Sequence, residues 1–165
     1  MFAASLAGRY TMRFAVLLAF VLGLFALPAF AGEGYFSQQG AWIRNKTESK
    51  IPEGITHKDT PMVVMQDDGQ NLRYVIFDMT PTGYQAGITY VGSYDGKPYS
   101  FGKEATRSYK HIAPNSFRSE IKNDDGSSTV ETVTFVSAVK MRIEGKRADG
   151  LGKSYDYVEV WDKMN

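Results

Sequence analysis

Beyond residue 32 the chain repeats one pattern. Short runs rich in Val, Ile, Thr, Tyr and Phe alternate apolar and polar positions with a period of two, and almost nothing recurs at helical spacing. Val139-Lys140-Met141-Arg142-Ile143-Glu144 is the clearest case, with one face apolar and the other fully charged. Phe117-Arg118-Ser119-Glu120-Ile121-Lys122 repeats it, with Ser119 between two large apolar residues. Neighbouring segments with one wet face each are what an antiparallel sheet wrapped round a core produces. Strands are expected near 41–45, 61–66, 72–79, 85–92, 98–101, 107–112, 116–122, 129–136, 138–144 and 154–161. Asp68-Gly69, Asp95-Gly96, Asp125-Gly126 and Asp149-Gly150 supply the residues that tight hairpins require. The fold class is therefore all-β, a single antiparallel barrel of about 8–10 strands, because closure removes the exposed edges that invite aggregation. A two-sheet sandwich is the alternative. Asn45 to Pro61, broken by Pro52, Gly54 and Pro61, reads as a loop with at most one helical turn, covering one end of the barrel.

The first 31 residues have a different pattern. Arg13 precedes the apolar run Phe14 to Leu27, followed by Pro28-Ala29-Phe30-Ala31-Gly32, which is a positive n-region, an h-region and an A-x-A cleavage site. Residues 1–31 read as a signal peptide and 32–165 as one domain, exported to the periplasm or the medium. The run is shorter than the roughly 20 apolar residues that span a bilayer, so no membrane span is expected after cleavage. An uncleaved anchor is the alternative. Met12 beside Arg13 offers a more compact start than Met1, and with no cysteine there is no lipoprotein anchor.

Charge excludes one class of partner. The chain carries 19 basic and 18 acidic residues; Arg9 and Arg13 leave with the signal segment, so 17 basic face 18 acidic. Nucleic-acid binding needs an excess of cations on one surface, and no basic run is present. The absence of cysteine excludes disulfides, thiolate nucleophiles and Cys-type metal sites, so packing and sheet hydrogen bonds must hold the domain.

Several short motifs occur in a suggestive order. Gly40-Ala41-Trp42 opens the first strand, Lys50 and Pro52-x-Gly54 follow, Gly92-x-Tyr94-Asp95-Gly96-Lys97-x-Tyr99 sits in mid-chain, and the end reads Val158-x-Val160-Trp161-Asp162-Lys163. The arrangement, over most of residues 40 to 163, resembles a family of small exported bacterial lipocalin-like β-barrel proteins. The resemblance implies a barrel with a central cavity and no assigned catalytic activity. It also implies that Trp42 closes one barrel end beneath a basic side chain from the last strand, a place that Lys163 could fill. The chain departs from that pattern at Phe135-Val136-Ser137-Ala138-Val139, where a longer Asp-Gly turn is cut to about two residues.

Candidate chemistry is sparse. His57, in the polar loop, and His111, on a strand, are the only imidazoles available to a hydrolase triad, and no Gly-x-Ser-x-Gly elbow accompanies them. His57 with Asp59, Asp67-Asp68 and Asp124-Asp125 fall short of a convergent ligand set, so no metal and no cofactor is called for. The remaining signal is aromatic. Tyr84, Ala86, Ile88 and Tyr90 share one face of their strand, and Leu72, Tyr74 and Ile76 one face of the strand before. Pointing inward, Tyr74, Ile76, Tyr84, Ile88 and Tyr90 would line a lumen suited to a hydrophobic small molecule. The bland alternative is a barrel filled by its own side chains. Two functions follow: a non-enzymatic carrier of a small molecule, or an envelope scaffold whose loops contact protein partners. Catalysis is the third and weakest option.

Overall fold

The computed structural model describes residues 35–53 and 60–164, with the side chain of Tyr84 outside the description. The signal segment and the loop stretch with His57 and Asp59 lie outside the described residues. Within them, ten strands follow one another up and down: β1 (Gly40–Arg44), β2 (Met62–Asp67), β3 (Asn71–Thr80), β4 (Gly83–Ser93), β5 (Tyr99–Ser100), β6 (Ala105–Ala113), β7 (Ser116–Asn123), β8 (Ser128–Ser137), β9 (Lys140–Ala148) and β10 (Ser154–Lys163). They form one antiparallel sheet in the order β4-β3-β2-β1-β10-β9-β8-β7-β6-β5. Chain-end strands meet through Trp42 opposite Lys163 and Arg44 opposite Trp161. The far edges, β4 and the end of β5, touch through the bridge Tyr90 to Phe101. The result is a nearly closed lipocalin-like barrel rather than a sandwich, since no second sheet exists among the described residues.

The alternation fixes which side of each strand is wet. In β8, Thr129, Glu131, Val133 and Phe135 are buried while their neighbours are not, and β9 does the same with Met141, Ile143 and Gly145. Three of the four Asp-Gly turns place their glycine at positive φ, at Gly69, Gly96 and Gly126. The fourth is a correction: after Asp149 the positive φ falls on Gly152, while Gly150 packs against the carbonyl of Asp125. The β8–β9 connection is Ala138-Val139, two residues, as the shortened pattern implied. Asn45–Lys50 does not leave the barrel wall. Its Asn45 N–H reaches the Val160 carbonyl at 2.7 Å and Lys50 bridges Val158, so this part of the loop continues along β10.

The core has two halves. At one end Trp42, Leu72, Tyr94, Phe117, Phe135 and Met141 pack into an apolar, largely aromatic plug. A strap, residues 35–39, lies across that end: Ser37 Oγ donates to the Asp67 carbonyl at 3.1 Å and Phe36 N–H to Asn115 Oδ1 at 2.9 Å. Toward the other end the interior turns polar and opens.

Candidate functional site

The polar half is organised by one row of the sheet. Register places Tyr109 opposite Ser119, Ser119 opposite Glu131, Glu131 opposite Gly145 and Gly145 opposite Tyr157, so five adjacent strands contribute one inward residue each at the same height. Gly145 has no side chain, and a Cβ built there would overlap the Tyr157 ring. The ring therefore crosses β9, and its hydroxyl donates to Glu131 Oε1 at 2.7 Å.

Arg107, two residues before Tyr109 on β6, reaches up to this row. Its Nη2 is paired with Glu131 Oε2, its Nε donates to Ser119 Oγ at 2.8 Å, and its Nη1 donates to the Tyr74 hydroxyl at 3.0 Å. The Tyr74 and Tyr109 hydroxyls are 3.0 Å apart. Tyr109 and Phe101 present their rings to the guanidinium, with centroids 4.8 and 5.1 Å from Cζ. Arg107 and Glu131 are each under one-tenth exposed. A buried pair of this kind is tolerated only where the remaining donors and lone pairs are also met, which the serine and the tyrosines do. Burial pushes the Tyr74 and Tyr109 phenols above their ordinary range, against the lowering pull of Arg107, so both stay protonated and able to donate. A second pair, Arg44 Nη1 to Glu159 Oε1 at 3.7 Å, stands on the other wall.

Along the row runs a cavity of about 230 Å³, walled by Met62, Met141, Ile76, Ile121 and Ile143 on its apolar sides and by Arg107, Glu131, Thr129 and Tyr157 on its polar ones. Arg147 lines both this cavity and an open cleft of about 480 Å³ at the barrel mouth, between the β5–β6 and β7–β8 turns. This space is smaller than the roughly 300–1,000 Å³ of drug-sized pockets, which limits an occupant to a compact molecule unless the mouth is used too.

The residues singled out in the sequence fall at different depths. Tyr74 and Ile76 line the cavity, and Ile88 lines the mouth cleft. Tyr90 is fully buried, stacked on Tyr74 at 5.2 Å between ring centroids. The Tyr84 side chain lies outside the described residues. Ala86 needs correction: a bulge at Gly87, where Ile76 pairs with Ile88 but Phe77 with Ala86, slips the register and turns exposed Ala86 away from the face of Ile88 and Tyr90. Trp42 is fully buried at the strap end; its Nε1 donates to the Gln38 carbonyl at 2.6 Å, and Lys163 Nζ sits 5.4 Å from its ring centroid. His111 is at that same end, its Nε2 3.2 Å from the Gly69 carbonyl and its ring 4.3 Å from Tyr94. No cluster of three or more metal-ligating side chains occurs among the described residues, and no described helix is long and apolar enough to cross a membrane.

Arg107, Glu131 and Tyr157 were not picked out from the sequence. Their signal was phase: Glu131 is in step with Val133 and Phe135, and Arg107 with Tyr109, so both charges sit at inward positions.

No family model matches the chain, and no curated protein does. The chain is similar to several solved structures. A point mutant of the fluorescent protein UnaG is similar at a TM-score of 0.51 with 14% identity, over 78% of this chain and 96% of that one. A redesigned β-barrel is similar at 0.45 with 12% identity, over 77% of this chain and 91% of that one.

Proposed function

We propose that this protein is an exported, non-enzymatic lipocalin-like barrel that binds a compact small molecule in its lumen. The observation that carries the reading is the cavity of about 230 Å³ with three isoleucines and two methionines on some walls and a fixed polar row on another. Ligand sites combine apolar area for affinity with a few placed polar groups for orientation, and this interior has both. Export rests on the residue 13–32 pattern. Binding is favoured over catalysis because His111, the imidazole in the described barrel, is engaged at the strap end rather than in the polar row.

The uncharged fluorophore N-phenyl-1-naphthylamine tests it. Fluorescence should rise saturably with one probe per protein, and Ile121→Trp, which places an indole in the cavity, should abolish the rise while leaving the thermal transition in place. Absence of saturable binding would remove the carrier reading. The aromatic plug favours a second reading, a filled scaffold with working loops, which that negative result would leave standing and envelope crosslinking would then examine.

A further inference from the structure

The lumen holds a guanidinium that would be the natural anchor for an anionic ligand, yet its charge is already answered. Arg107 is tied to Glu131, Ser119 and Tyr74 through all three of its nitrogens, and two rings crowd it. On the opposite wall the Arg44 charge stands against Glu159. At the lip, Arg147 lines both the cavity and the mouth cleft and is exposed to water, with Asp125 lining the same cleft. The buried positive and negative charges around the cavity therefore come in couples, and the remaining cation, Arg147, already stands in water at the lip. An anion entering it would shed its water without gaining an uncompensated cation, and would meet two carboxylates. An uncharged molecule has no such barrier: it meets apolar walls and the hydroxyl of Thr129.

Resting on the carrier reading, we propose that the lumen accepts uncharged ligands and rejects anions, and that Glu131 is the residue that sets this choice. Glu131 and Arg107 line the ligand space side by side as a pair, so removing the Glu131 charge alone would leave one unmatched cation facing the cavity.

A matched pair of probes separates the two claims. N-phenyl-1-naphthylamine and 8-anilinonaphthalene-1-sulfonate share a ring skeleton and differ by the sulfonate. In the wild-type protein the dissociation constant of the sulfonate, titrated by its own fluorescence, should lie about a hundredfold above that of the neutral probe, the scale of an uncompensated charge entering a buried site. Glu131→Gln should bring the sulfonate to within about tenfold of the neutral compound. A double variant, Arg107→Met with Glu131→Met, removes both charges at similar volume and should keep neutral binding with the sulfonate still excluded. Equal affinity for both probes in the wild type overturns anion rejection and leaves the carrier reading intact. Folded Glu131→Gln protein that still excludes the sulfonate overturns the role of Glu131. Should that variant not fold, sulfonate entry into the folded double variant, where no cation remains to attract it, overturns the proposal that anions stay out because Glu131 has already matched Arg107. Failure of the neutral probe to bind the wild type removes the carrier reading and this inference together.

Discussion

At the scale of single residues, Gly145 is the position on which the polar row depends. It pairs with Glu131 on one side and Tyr157 on the other, and the space its side chain would take is filled by the Tyr157 ring. Gly145→Ala forces the ring aside and breaks the bond from its hydroxyl to Glu131. Overpacking and a lost hydrogen bond to a charged group together cost about 2–4 kcal/mol. A fall in the thermal midpoint measures the loss. The physical cause is isolated by a cycle with Tyr157→Leu: once the ring is gone, Gly145→Ala should add little further destabilisation, whereas independent additive losses would show that the ring was not the obstacle.

At the scale of elements, the strap and the turn that holds it act together. Asp67, at the end of β2, is buried and accepts from the Tyr35 hydroxyl, the Gln38 amide at 2.6 Å and the Tyr94 hydroxyl at 3.1 Å. Gln38 in turn donates its side-chain amide to the Tyr94 hydroxyl and its carbonyl receives Trp42. Asp67→Ala leaves several donors at that end without an acceptor, at about 1–3 kcal/mol for each one that stays buried. Amide exchange should accelerate at Gln38 and its neighbours while Glu131 on β8 keeps its protection; equal acceleration at both would mean the strap is not a separate unit.

Element positions were largely legible in the chain, and for a plain reason: the period-two alternation and Asp-Gly turns set strand phase locally, as in β9, where Lys140 to Ala148 begins two residues inside the expected start. What local phase cannot supply is register between strands. The Tyr109, Ser119, Glu131, Gly145 and Tyr157 row exists only once four hairpins are aligned, so two charged residues in phase with apolar ones carried no visible partner. The bulge at Gly87 was hidden for the same reason, because a one-residue slip leaves the sequence alternation looking intact.

At the scale of the whole molecule, the unusual density of buried phenols makes alkali the condition that should unfold it. Tyr74, Tyr94, Tyr109 and Tyr157 are all buried, and burial is the main reason each phenol is raised above its ordinary value of 10.0; near Tyr94 the charge of Asp67 adds to this, and near Tyr157 that of Glu131. An unfolded tyrosine releases its proton above pH 10 while the folded one keeps it. Stability is thus fully present below pH 10 and falls as pH rises beyond it, by about 1.4 kcal/mol per pH unit for each such residue. Four act together against a typical domain stability of about 5–15 kcal/mol, so the barrel should collapse within about one to three pH units above 10. The acid side has a gentler form. Desolvation lowers His111, which takes stability away as pH falls below 6.5, and backbone hydrogen bonding from Asn71, the largest cause, lowers exposed Asp68, whose contribution is lost as pH falls below 3.8. Phenolate absorbance followed alongside the β-sheet circular dichroism signal checks the alkaline limb. Ionisation and unfolding should coincide in one steep step, and a smooth titration near pH 10 with the sheet signal unchanged would show that these hydroxyls are open to solvent.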